Sequence, residues 1–202
     1  MNILIVFDTR YGNTMKLVEA ASQGAQEAGA KVKVTRTKVV EPEAIIPKNE
    51  YWKAAHEKFI KFPEWSLDDC KWADGLIIAS PTRFGNMSAP LKMFIDGLSP
   101  LWLTGDLIGK PAGCITSTSS MHGGQETTLV SMYFPLLHHG MIIVGVPYSV
   151  KELITTSRGG TPYGATSVSG HLANQGPNEE ELAIARALGR RVAEIAGKLR
   201  GT

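Results

Sequence analysis

The chain has 202 residues, is 43% hydrophobic, carries a formal net charge of +2 and contains two cysteines. That apolar content suffices for one compact core, and the near-balanced charge, with no clustered Lys/Arg face, argues against nucleic-acid binding. Cys70 and Cys114 have neither CxxC nor metal-ligand spacing, so they read as buried, reduced thiols and no metal site is expected. An apolar pattern starts at Ile3 without a charged leader, and no apolar run approaches the roughly 20 residues that span a bilayer. The expectation is a cytoplasmic protein with no membrane contact.

In chain order, the run Ile3-Leu4-Ile5-Val6-Phe7 suits a strand buried on both faces of a parallel sheet. Residues 15–28 place Met15, Val18, Ala21, Ala25 and Ala28 at helical spacing, closed by Gly29. Residues 31–37 alternate Val32 and Val34 with polar positions, the pattern of a half-exposed strand near a sheet edge. Between Pro47 and Pro63, the spacing of Trp52, Ala55, Phe59 and Phe62 predicts a short amphipathic helix whose apolar stripe suits core packing more than a partner site. Strands are expected at 75–80, 112–117 and 141–146, and helices at 89–98, 126–138 and 179–199, with Pro90 fitting the first turn of its helix. Strands alternating with helices define an α/β chain with a doubly wound, five-stranded parallel sheet and helices on both faces. One domain over 1–202 is expected, with insertions at about 41–70 and 147–177, the second too rich in Gly, Ser, Thr and Pro and too long for a simple connection.

Ligands of such sheets bind outside the carboxyl ends of the strands, which draws attention to three loops. The first, Asp8-Thr9-Arg10-Tyr11-Gly12-Asn13-Thr14, leads from strand to helix, where backbone N–H groups and the helix dipole favour an anion. It lacks the endings of nucleotide and dinucleotide loops, so it reads either as a monophosphate cradle or as an ordinary hydroxyl-capped helix start. The second, residues 80–88, combines Arg83, Phe84, Gly85 and Asn86, groups suited to a flat heterocycle. The third, residues 117–126, again opens a helix, and together the three could hold a phosphate, a ring face and the pyrimidine end of a flavin.

These segments carry a resemblance. The first loop resembles the flavodoxin phosphate loop, and Pro81-Thr82-Arg83-Phe84-Gly85-Asn86-Met87, Gly123-Gly124-Gln125-Glu126, His138-His139-Gly140-Met141 and Arg158-Gly159-Gly160-Thr161-Pro162-Tyr163-Gly164-Ala165 resemble the WrbA family of NAD(P)H:quinone oxidoreductases. The likeness runs from the first strand to the last helix, with 41–70 alone outside it. It implies a flavodoxin-like fold with strand order 2-1-3-4-5 and an FMN cofactor. By resemblance, Thr9, Arg10, Tyr11, Gly12, Asn13 and Thr14 wrap the phosphate, with Thr14 capping the helix. Pro81, Thr82, Arg83 and Phe84 line the ring, Gly85 and Asn86 offer hydrogen bonds near its reactive edge, and Thr118, Ser119, Ser120, Met121, His122 and Gly123 form the third flavin loop. Where this chain has Ser119 to His122 the family often has more glycine, and any positive φ there would be resisted by Met121. His122 is either a neighbour of the ring or a solvated loop residue.

The resemblance further implies that His138 reaches a flavin, from a neighbouring subunit, or else caps its helix, and that it is a possible proton donor. His139 is expected to be a structural neighbour. Tyr11 and Trp102 match positions that contact the nicotinamide or quinone, core packing being the other reading of Trp102, and 158–165 is expected to help build the pocket wall. The implied activity is that of an NAD(P)H dehydrogenase (quinone): ping-pong, two-electron quinone reduction with NADH or NADPH as donor, in a homotetramer that binds neither nucleic acid nor membrane. The competing expectation is an electron-carrier flavodoxin with no turnover of its own. A repressor-binding role, suggested by the historical description of the family as tryptophan-repressor-binding proteins, finds no supporting sequence feature.

Overall fold

A computed structural model of the chain describes residues 1–40 and 50–200. The parallel sheet is built from β1 (Asn2–Phe7), β2 (Lys31–Arg36), β3 (Gly75–Pro81), β4 (Pro111–Thr118) and β5 (Ile142–Ile143) in the order β2-β1-β3-β4-β5, with β6 (Ala165–Val168) pairing beside β4. The expected order holds, and the sheet gains a sixth strand.

Because strand side chains alternate between faces, each central strand feeds two cores. Ile3, Ile5, Phe7, Ile77, Ala79 and Ile115 pack under α1 (Asn13–Glu27) and α8 (Glu179–Leu199). Leu4, Val6, Leu76, Ile78, Ala112 and Cys114 pack on the other side under α3 (Leu67–Trp72), α4 (Ala89–Gly97), α5 (Ser99–Thr104) and α6 (Gln125–His138). Cys70 and Cys114 are both buried, as expected of structural thiols. Strand β2 alternates exposed and half-buried positions over Lys31 to Val34, and Thr35 is its one buried residue, as suits an edge strand.

The stripe of Trp52, Ala55 and Phe59 is the buried face of α2 (Glu50–Phe59), and Phe59 and Phe62 meet Phe7 edge-on at 5.3 and 5.0 Å. The part of the 41–70 insertion at 41–49 lies outside the described residues. Helices α3, α5 and α7 (Glu152–Thr155) are short and fall where the sequence reading assigned no helix.

The expected strand at 141–146 is shorter than its apolar run. Val144 N–H still reaches Ala112 O at 2.8 Å, but Val146 N–H turns to Pro162 O at 2.9 Å and Pro147 follows. The chain leaves the sheet there and returns as β6, which pairs with Ile115–Thr118 where a longer β5 would have lain. Among the described residues, no helix is long and apolar enough to cross a membrane.

Candidate cofactor site

All the strands point one way, so the loops after β1, β3, β4 and β6 emerge on a common edge and are tied there. Asp8 N–H donates to Ala79 O (2.9 Å), Thr82 N–H to Ser117 O (3.0 Å) and Ser169 N–H to Thr118 O (2.8 Å). Between them opens a cavity of about 330 Å³, lined by Thr9, Arg10, Tyr11, Asn13, Thr14, Pro81, Thr82, Arg83, Ser117, Thr118, Ser119 and a segment containing Ser169, His171, Leu172 and Ala173.

The first wall is the start of α1. Gly12, at φ +84°, is its N-cap, and Thr9 Oγ1 accepts the Gly12 N–H at 3.0 Å. Helix geometry leaves the N–H groups of Asn13, Thr14 and Met15 without intrahelical acceptors, directed outward with the positive end of the helix dipole. The expected cap is thus corrected: Thr14 sits buried inside the first turn, and Gly12 occupies the cap position with no side-chain cap bond. Behind this loop, the Arg10 guanidinium lies 4.4 Å from the centre of the Trp52 ring, and the Tyr11 ring 6.4 Å from it. The α2 insertion therefore buttresses the loop.

The second wall is Pro81-Thr82-Arg83. Thr82 Oγ1 and Thr128 Oγ1 share a hydrogen bond of 2.7 Å, and Arg83 Nη1 donates to Thr82 O at 2.9 Å. Reciprocal bonds between Arg83 and Asn86 close a tight turn with Phe84 at φ +53° and Gly85 at φ +76°. This turn points away from the cavity: Phe84 is fully exposed, and Phe84, Gly85 and Asn86 are not among the lining residues. Gly85 packs instead against the start of α6, where a Cβ on Gly124 would lie 2.9 Å from Gly85 Cα.

In the third loop Thr118 and Ser119 line the cavity, whereas Ser120, Met121, His122 and Gly123 are not among its lining residues. None of residues 119–122 has positive φ, a conformation that falls to Gly124 (+88°), so the non-glycine side chains are accommodated without backbone strain.

His138 and Trp102 are not in the cavity. Helix α6 starts at the carboxyl end of β4 and its rise carries His138 about 20 Å back toward the opposite edge. There Trp102 Nε1 donates to His138 O at 3.1 Å, and Trp102 is 56% exposed beside exposed Leu103 and Leu137. The buried His139 caps the helix as a structural neighbour.

The fourth wall was not legible as such. Ser169 Oγ donates to Thr118 O at 3.0 Å, and Asn13 Nδ2 reaches across to Ala173 O at 3.0 Å, with Ala173 at φ +54°. The motif at 158–165 lies behind this wall; its Tyr163 O accepts a hydrogen bond from the Tyr133 hydroxyl.

The lining includes seven Ser/Thr residues, two arginines and the amide-rich start of α1, and no Asp or Glu among the described residues. Such a donor set accepts a phosphate monoester at the α1 end and a polar heterocycle between the second and third loops, within the usual volume of a ligand cavity. FMN fits it.

A parallel 2-1-3-4-5 sheet with this cavity at its carboxyl edge defines a flavodoxin-like protein. The model of the NADPH-dependent FMN reductase family matches residues 1–153, and the chain belongs to that family. It is 42% identical over 200 residues to the NAD(P)H dehydrogenase (quinone) of Trichlorobacter lovleyi, covering 98% of each chain. It is 40% identical to that of Geobacter sulfurreducens over 207 residues, covering all of both. In fold it is similar to a flavodoxin, WrbA-like protein from Agrobacterium tumefaciens, with a TM-score of 0.66 at 22% identity over 98% of each chain.

Proposed function

We propose that this protein is an FMN-dependent NAD(P)H dehydrogenase that reduces quinones by two electrons. The observation that carries the reading is the amide- and hydroxyl-lined cavity at the start of α1, in a chain alike over its full length to proteins of that activity. The carrier alternative shares the fold but leaves the full-length likeness to dehydrogenases unexplained.

In this reading the amides of Asn13, Thr14 and Met15, with the Thr9 hydroxyl and Arg10, hold the phosphate. Thr82 and Arg83 on one side and Thr118 and Ser119 on the other orient the ring, and residues 169–173 screen it from water. FMN, when bound, accepts a hydride from NADH or NADPH and delivers two electrons to a quinone. The chain supplies orientation and a positive field, which favours anionic character developing near Arg10 and Arg83. Tyr11 offers a flat wall to an aromatic substrate.

His138 and Trp102 enter the same scheme only through assembly. We propose a homotetramer in which the exposed cluster of Trp102, Leu103 and Leu137 is covered by other subunits and His138 and Trp102 approach a neighbour's cavity. Exposed apolar clusters of this kind mark interfaces.

The test is anaerobic stopped-flow absorbance of FMN-loaded protein mixed with NADH or NADPH and then with benzoquinone. Loss of the oxidised flavin band followed by its return is expected. A flavin that neither nucleotide reduces would refute the dehydrogenase reading and favour the carrier, and a monomeric mass by light scattering would refute the shared site.

A further inference from the structure

Glu181 is wholly buried in the first turn of α8 and does not line the cavity. Its Oε1 accepts the N–H groups of Gly159 (2.8 Å) and Val168 (2.9 Å), and its Oε2 accepts the N–H of Asn178 at 2.8 Å. Arg158 Nη2 lies 3.6 Å from Oε2 and donates to the carbonyls of both Val168 and Gly176. Val168 ends β6 immediately before the cavity segment, and Gly176 follows it. One guanidinium thus joins the two stems of the loop 169–175, and one carboxylate binds the first stem, at Val168, to α8.

We propose that Arg158 and Glu181 form a clasp that sets the fourth wall of the cavity, which makes both of them positioning residues for the bound cofactor. The inference rests on the FMN reading given above. A planar, five-donor cation is needed because two carbonyls and a carboxylate must be met from one side chain, and a lysine presents only a point charge. The buried carboxylate is needed because three backbone N–H groups and a cation converge on it, and a neutral amide would turn a donor toward at least one of them. Beyond its stems the loop is tied to its surroundings by the N–H and Oγ of Ser169, both on Thr118 O, and by Asn13 Nδ2 on Ala173 O, and Ala173 keeps a left-handed φ that the surroundings must enforce.

The experiment compares wild type, Arg158→Met and Glu181→Gln in the full chain. FMN affinity is read by quenching of flavin fluorescence, and backbone order by amide hydrogen exchange of the FMN-free protein. For Arg158→Met, the FMN Kd is expected to rise about 10- to 100-fold, as for other supporting groups that set site geometry. Exchange should speed up in residues 169–176 while the amides of β1, β3 and β4 keep wild-type protection. Glu181→Gln should move both readouts the same way, and Arg158→Lys should recover only part of the affinity. The clasp is overturned if wild type binds FMN and Arg158→Met binds it as tightly. Equal acceleration of exchange across the whole sheet would also overturn it, since that is a stability effect without a positioning role. If wild type itself does not bind FMN, the functional reading falls and takes the cofactor role of the clasp with it; this result is distinct from the other two.

Discussion

Replacing Gly24 by alanine tests how closely α1 and α8 determine the geometry of this molecule. A Cβ at Gly24 would lie 1.9 Å from the carbonyl oxygen of Arg186, and on the opposing helix a Cβ at Gly189 would lie 1.9 Å from that of Ala21. Both obstacles are backbone, so no side chain can swing aside, and the helices must part by about 1 Å to reach the shortest tolerable contact. A separation of that size forfeits a quarter to a half of the dispersion energy of atom pairs across the seam, where Ala20, Ala21, Ala185, Leu188 and Ala193 are buried. Overpacking of this kind costs about 3 kcal/mol, a large share of the roughly 5–15 kcal/mol that holds a domain together. For a chain of this length it should lower Tm by about 6–12 °C. Since the first methyl opens the gap that the second needs, Gly24→Ala with Gly189→Ala should be less destabilising than the sum of the singles. Urea unfolding followed by far-UV circular dichroism reads all three variants. A Gly24→Ala loss below about 1 kcal/mol, or strictly additive singles, would refute the close-packed seam.

Other outcomes follow from single residues. Phe84 holds φ +53° with its ring in solvent, so Phe84→Gly should leave the melting temperature of the FMN-free protein unchanged or raise it by the equivalent of about 1 kcal/mol, and a clear fall in Tm would contradict the exposed turn. Burial pushes the Cys70 thiol up to about 12, with Asp69 adding to it, and burial raises Cys114 further; neither should react with a thiol reagent at pH 8 until the protein is unfolded. Burial, reinforced by the charge of His138, holds His139 below its ordinary 6.5, and its Nδ1 has no hydrogen-bond partner. The unfolded chain therefore takes up a proton the folded chain resists, so stability is lost as pH falls below about 6.5, and His139→Gln should flatten that part of a Tm-against-pH curve. Trp102→Ala should reduce the mass seen by light scattering, because Trp102 lies among exposed apolar residues that the proposed tetramer covers, and an unchanged mass would contradict that role.

Much of the fold was legible because central parallel strands are continuous apolar runs, and β1, β3 and β4 announce themselves in that way. The closing helix was equally clear, since its acidic first turn and amphipathic repeat are local signals; the Asn178 to Glu181 capping box then fixes its start. Two signals of the candidate site could be read, namely the strand-to-helix loop at Thr9–Thr14 and the hydroxyl-rich ends of β3 and β4. Other features were hidden for physical reasons. Residues 83–86 form a tight turn that leaves the Phe84 ring exposed, and nothing in their composition announces that turn. The cap at Gly12 displaced Thr14 because a glycine in the left-handed region can end the loop without a hydroxyl. Residues 169–173 sit in a long loop without periodicity, where tertiary bonds to Asn13 and Thr118, and Arg158 at the flanking Val168 and Gly176, help decide the course of the chain.

The interrupted fifth strand explains why that fourth wall exists. Ile142 pairs with Pro111 and Val168 with Thr118, so the offset between partners rises from 31 to 50 along one side of β4, and 19 extra residues are accommodated between the two halves. The diversion begins at Val146, whose N–H is the next donor due to β4 after those of Ile142 and Val144 but turns instead to Pro162 O. Bringing the chain back at Ala165 continues the pairing along β4, and it delivers Ser169 to the sheet edge directly beside Thr118. The diverted residues would be unsupported if they met only solvent, and the Glu181 carboxylate receives them on α8, the helix packed along α1. The same packing that places the α1 amides at the cavity therefore also places the anchor for the wall facing them, so a disturbance of the α1–α8 seam should reach both sides of the cavity at once.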